Sequence, residues 1–334
     1  MGFASSYLFT DELPDGFGIP AARISALTAL SGIPWIMKPV YGFLSDAMPI
    51  CGRHRSPYIV IAGVAGTSGF LMLAVLEPGM RLSPLGAAGL LALGSLSIAL
   101  PDVMIDASVA EQSQLHPTLA TDVTSLLWAS YGSFEILTSL AKGPILVTVG
   151  ARRLLALLSL ATIATSVPAA LGWLGERPSG GGDGGGGSGG GGTPVVKAAK
   201  CCDIGRVWKS LLSPSSPSHH YRLALVVVGG AFALVVVGIA FPSFAAPGAA
   251  AVMIFVCVAV WHYERKPSPA FARVVMFMFL DGALSPSTGT VMFLWMKATS
   301  DNCARGRPCF DPPLIGWLDL ATQCSYLLGM VAGR

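Results

Sequence analysis

Charged side chains are scarce in this chain, so the few that interrupt its long apolar runs stand out. Lys38 lies in "PWIMKPVYGFLSD", between Pro34 and Pro39. Asp102 and Asp106 lie in "PDVMIDASVAE", four residues apart and so on one face of a helix. Glu135 and Lys142 fall in the apolar run 122–149, two turns apart on one face, with Trp128 and Tyr131 one to two turns before the glutamate. A charge at membrane depth faces a bundle interior or a cavity and finds a partner there. One chemistry suits the paired carboxyls: like charges this close resist ionising together, so one of them, facing a cavity, can carry a proton. The plainer alternative is an ion-pair network in which Lys38, Arg53 or Arg55 meets Asp102 or Asp106. Glu135 is either a functional carboxyl or a neutral one hydrogen-bonded between helices. Trp128 and Tyr131 either stack on a flat aromatic ligand or pack between helices. Asp281 and Asp319 are further candidates of the same kind.

These residues need elements to hold them, and composition says which. Hydrophobic residues make up 53% of the 334 and charged residues 12%, with a mean hydropathy of +0.65. A soluble domain carries about 25% charged residues. The chain therefore reads as an all-α, polytopic membrane helix bundle. A span takes about 20 mostly apolar residues. Suitable runs lie at 21–45, 57–76, 84–107, 122–149, 153–175, 271–296 and 312–333. The uncharged run 223–261, broken at Pro242 and Pro247, reads as a helical hairpin. That makes about nine spans. Lys38 then lies about 26 Å along its helix and Asp102 about 27 Å along an antiparallel one, at 1.5 Å per residue. The two sit at similar depth, and Lys38 is expected to pair with Asp102 or Asp106.

Between the hydrophobic blocks lies "GERPSGGGDGGGGSGGGGTP", a flexible linker with no means of forming a core. The following "VVKAAKCCDIGRVWKSLL" is either a surface-lying amphipathic helix or a solvated linker end. The linker side carries twelve Lys and Arg residues in its loops and the opposite side seven. This bias puts the linker in the cytoplasm, or in the stroma if the membrane is a plastid's. Cys303 and Cys309 share an outer loop, where an oxidising compartment would bridge them. The five histidines show no metal-ligand spacing. No nucleophile elbow, phosphate loop, zinc pattern or basic nucleic-acid patch is present. An enzyme, a cofactor, a metal site and a nucleic-acid partner are not expected.

"PWIMKPVYGFLSDAMPICGRHRSPY" resembles a stretch of the folate–biopterin transporter family of the major facilitator superfamily. Gly42, Asp46, Gly52, Arg53 and Arg55 stand at the positions of the loop motif, with a longer interval from the Asp to the second Gly than usual in the superfamily. A second family stretch is matched by Asp102, Val103, Asp106, Ala107, Val109 and Glu111. A third, looser match is "ALSPSTGTVMFLWM" followed by "FDPPLIGWLDL". The resemblance implies two six-helix bundles rocking about a central site, with folates or pterins moved together with protons. It implies Lys38 for a folate carboxylate. Asp102 or Asp106 would take the pterin's paired N–H groups or carry the proton, a choice left open. Glu135, Trp128 and Tyr131 remain candidates for the same site. Gly42, Asp46, Gly52, Arg53, Arg55 and Glu111 are expected in a gating latch.

By the same resemblance the chain starts after the family's first span and ends near its eighth. The expected organisation is an outer segment 1–20, an N-terminal bundle 21–175, a linker 176–221, an extra hairpin 222–264 and an incomplete C-terminal bundle 265–334. The plasma membrane and a plastid envelope both remain open. Alternatives are a carrier of another organic anion and a non-transporting, pterin-binding relative.

Overall fold

The computed structural model describes residues 1–11, 16–50, 52–78, 81–174, 218–264, 269–284, 289–297 and 303–332. Within them the chain is built from helices: α1 Gly2–Thr10, α2 Ala21–Ser31, α3 Ile33–Ile36, α4 Lys38–Ala47, α5 Ser56–Val75, α6 Pro84–Leu115, α7 Ala120–Val149, α8 Ala151–Ala170, α9 Ser218–Ala240, α10 Ala245–Glu264, α11 Pro269–Leu284, α12 Gly289–Met296 and α13 Pro312–Ala332. Among the described residues β-pairing is limited to isolated bridges. Ser56–Val75, Pro84–Glu111 and Ala151–Ala170 are long and apolar enough to cross a membrane, and Leu225–Gly238 and Ala246–His262 are shorter apolar helices. The fold is an all-α membrane helix bundle.

The run expected as one helix over 21–45 is divided into α2, α3 and α4. Pro34 and Pro39 each fall in the first turn of a new helix, where a missing N–H leaves no bond unmade. The sequence marks this break, because proline in a helix interior would remove an internal bond. The run 271–296 is likewise parted into α11 and α12, and residues 285–288 between them lie outside the described set. The Gly-rich linker and the segment after it fall on residues 175–217, also outside it, as do Cys201 and Cys202.

α5 packs between α6 and α8. A methyl group placed on Gly63 would lie 1.6 Å from the Ser166 hydroxyl, and one on Gly66 would lie 2.3 Å from Ser97. The hydroxyls of Thr67 and Thr162 meet at 2.7 Å across the α5–α8 contact. Small residues and hydroxyl bonds are how helices approach where lipid removes the hydrophobic drive. The outer face of α5 leaves Ile61, Val64, Leu71 and Val75 exposed, a face suited to lipid rather than water.

One core cluster lies at the end of the bundle near Gly150. Leu8, Phe9, Phe70, Leu73, Leu91 and Leu155 meet Phe293 and Ile315 there, so both ends of the chain share it. A second cluster, Tyr58, Ile59, Ala62, Leu100, Met104 and Ala169, sits toward the opposite end. α7 packs along α13. A methyl group on Gly143 would lie 2.6 Å from the backbone of Pro312 and Pro313, which makes this approach dependent on glycine. The hairpin α9–α10 joins through the turn Pro242–Phe244, packs on α11 through Val256, Ala259 and Val260, and touches α2, α3 and α4.

Candidate functional site

Lys38 opens α4, and its ammonium pairs with the carboxylate of Asp102 in α6. Three features place it there. Pro39 starts the helix at this point. Gly42, one turn on, faces Val103 of α6, where a methyl would sit at 3.4 Å, so α4 and α6 lie in contact there. Trp35 holds the ammonium over its ring at 4.3 Å, a cation–π contact. On the α6 side, Pro101 precedes the aspartate and cannot donate a helical bond to the Ser97 carbonyl. The side chains of Lys38 and Asp102 are 29% and 43% exposed, so the pair is open to a solute. Asp106 is exposed, one turn further, and within electrostatic reach of both.

Tyr131 and Glu135 interact on α7, and Tyr131 has Asp102 and Tyr326 of α13 within electrostatic reach. Trp128 and Tyr131 pack edge to face, with ring centroids 6.1 Å apart. Lys38, Asp102, Asp106, Tyr131 and Glu135 are therefore neighbours around one region between α4, α6, α7 and α13, with Trp128 at its edge.

The expected latch residues divide between separate contacts. Gly52 has φ +76°, the left-handed conformation that favours glycine, inside a turn where Ile50 and Arg53 exchange backbone bonds of 2.9 and 3.0 Å. The Tyr58 hydroxyl donates to the Met48 carbonyl at 2.7 Å, and a His54 ring nitrogen lies 3.0 Å from the Ser45 carbonyl. The turn aims Arg55 at α6, where it donates to Ser108 at 2.8 Å and pairs with Glu111. Arg53 lies instead beside Gly172, just past the C-terminus of α8, where the helix dipole favours a cation. Asp46 is exposed in the last turn of α4, and the ion pairs among the described residues do not join it to Arg53 or Arg55.

Several contacts were not assigned from the sequence. Lys142 pairs with Asp319 across the α7–α13 contact, and Ser139 donates to the same carboxylate at 3.0 Å. Lys297, only 7% exposed, pairs with Asp11, donates to Thr10 and lies 4.9 Å from the Tyr7 ring centroid. Arg152 donates to the carbonyls of Ala74 and Leu76, satisfying the C-terminus of α5. The bridge that the sequence offered between Cys303 and Cys309, by contrast, is present. Charge inside apolar sequence was the available signal for Lys142 and Asp319. Their partnership was hidden, because nothing local relates residues so far apart. Asp281 is exposed near the end of α11. Among the described residues, no cluster of His, Cys, Asp and Glu has the make-up of a metal site.

A helix bundle with lipid-suited outer faces and charges paired between helices defines an integral membrane protein. The chain belongs to the BT1 family, which matches residues 3–332. It is 33% identical over 172 residues to "Probable folate-biopterin transporter 5" of Arabidopsis thaliana, covering 51% of this chain and 34% of that protein. It is 37% identical over 149 residues to "Probable folate-biopterin transporter 2" of the same plant, covering 45% and 29%. It is 33% identical over 165 residues to "Folate-biopterin transporter" of Synechocystis, covering 48% and 31%. The matched stretches thus span about a third of the length of these curated relatives. No solved structure matches the chain.

Proposed function

We propose that the protein is a multi-pass membrane carrier of folates or pterins, working by alternating access and coupled to protons. The observation that carries this reading is the half-exposed Lys38–Asp102 pair, set between helices in a chain of the BT1 family. The names of its relatives supply the substrate class. A partly exposed pair contributes little to stability, because solvent screens it. It is well placed to exchange partners: a substrate carboxylate takes Lys38, and the freed Asp102, or Asp106 one turn on, takes the pterin's paired N–H groups or a proton. Tyr131, Glu135 and Trp128 offer hydrogen bonds and an aromatic face beside it. Arg55 and Glu111, held by the Gly52 turn, form the latch that steadies one conformation, with Arg53 and Asp46 at its edges. Residues 21–175 and 265–334 act as the two moving bodies, joined by the linker 176–221 and flanked by the outer segment 1–20 and the hairpin 222–264.

The coupling group can be tested directly. In proteoliposomes carrying the native protein and an inward proton gradient, Asp106→Asn is expected to abolish gradient-driven folate accumulation. Accumulation that still follows the gradient in this variant removes Asp106 from the proton path.

A further inference from the structure

Lys142 is a second cation placed within an apolar helix, and its surroundings have the chemistry of a carboxylate site. Its ammonium already holds one carboxylate, that of Asp319. Ser139, fully buried, donates to that same oxygen at 3.0 Å. The lysine side chain is 19% exposed and the aspartate 38%, so the aspartate is the more solvent-accessible of the two. Pro144 lies two residues on and cannot donate to the Leu140 carbonyl, which leaves the helix locally compliant here.

The position on α7 is as informative as the contacts. Tyr131 and Glu135 precede Lys142 on one side of the helix, and Tyr131 has Asp102 within electrostatic reach. From Tyr131 to Lys142 the helix rises about 16 Å at 1.5 Å per residue. An aromatic platform thus stands at one end of a polar track and a cation at the other. Beyond Lys142 the track is closed. Phe3 lies over the ammonium at 5.2 Å and packs against Tyr7 at 5.1 Å and Phe293 at 6.5 Å.

We propose that Lys142, with Ser139, is a station for the carboxylate end of an elongated substrate whose flat heterocycle lies near Tyr131 and Trp128, Asp319 holding the place when the station is empty. The proposal rests on the carrier reading above and deepens it: Lys142 selects substrates with a carboxylate tail over those with the ring alone. The incoming carboxylate displaces Asp319, keeps the Ser139 bond and releases α13 from α7, which links occupancy to helix movement.

The test measures uptake of labelled folic acid, which has a carboxylate tail, and of biopterin, which has none. It uses the native protein and three variants: Lys142→Gln, the balanced double variant Lys142→Gln with Asp319→Asn, and the charge swap Lys142→Asp with Asp319→Lys. The double variant leaves no unpaired charge, so its folding is protected. Its folate-to-biopterin uptake ratio is expected to fall about tenfold, the equivalent of one lost charge-assisted bond. The swap restores the pair and is expected to leave the ratio low. A parallel fall for both compounds, or a ratio restored by the swap, makes the pair a structural clamp and overturns the proposal. A native protein that moves neither compound overturns the carrier reading itself.

Discussion

At the scale of the residue, the Lys38–Asp102 pair carries the functional reading, and its exposure decides what substitution should do. A buried ion pair that loses one partner costs about 3–5 kcal/mol. This pair is 29% and 43% exposed, so solvent screens it, and the stability lost falls to about 1 kcal/mol or less. Lys38→Ala should therefore keep the thermal midpoint of the purified protein within a few degrees of the parent while folate uptake falls about tenfold or more. A large drop in midpoint, with uptake scaling only to folded protein, would assign the pair to structure. The same residues show what sequence alone can convey. That Lys38 pairs with Asp102 or Asp106 was legible because two antiparallel helices place them at similar depth, and the structure selects Asp102. The pairing of Lys142 with Asp319 was not legible, since their meeting depends on α7 lying along α13.

At the scale of the element, the helices follow from apolar runs and their breaks from proline and glycine. α5, α7 and α13 fall close to where composition places them, because long apolar stretches leave few alternatives. The division of 21–45 was less legible: its hydropathy is continuous, and the break lies in the backbone chemistry of Gly32, Pro34 and Pro39. Lys38 owes its position to that break, which starts a helix at the charged residue. The α5 seam is more demanding. Gly66 faces Ser97 so closely that Gly66→Leu must displace α6. Overpacking of this kind costs about 1–3 kcal/mol or more. Size-exclusion profiles of the solubilised variant should show loss of the monodisperse peak. An unchanged peak would mean that α5 and α6 pack less tightly than the structure has them.

At the scale of the whole molecule, the N-terminal and C-terminal portions are tied at the end near Gly150. Phe293 and Ile315 enter the core there, and Lys297 pairs with Asp11 on the wall of a cavity of about 360 Å³ also lined by Leu146, Gly150 and Phe310. The alternating access proposed above would require this end to open. Lys297→Met removes the tie and is expected to raise the thiol accessibility of a Leu146→Cys reporter from that side about tenfold, a shift of roughly 1.4 kcal/mol in the opening equilibrium. Accessibility equal to that of the Lys297 parent would mean that the tie does not gate.

The central claim is that this chain moves folates or pterins across a membrane. It is tested most directly by counterflow: vesicles carrying the native protein are loaded with unlabelled folic acid or biopterin, and entry of the labelled compound is followed with time. The account predicts a transient overshoot of label with one or both compounds, absent in empty vesicles and much reduced in Lys38→Ala. Label that binds to the protein but equilibrates no faster than in empty vesicles would contradict it.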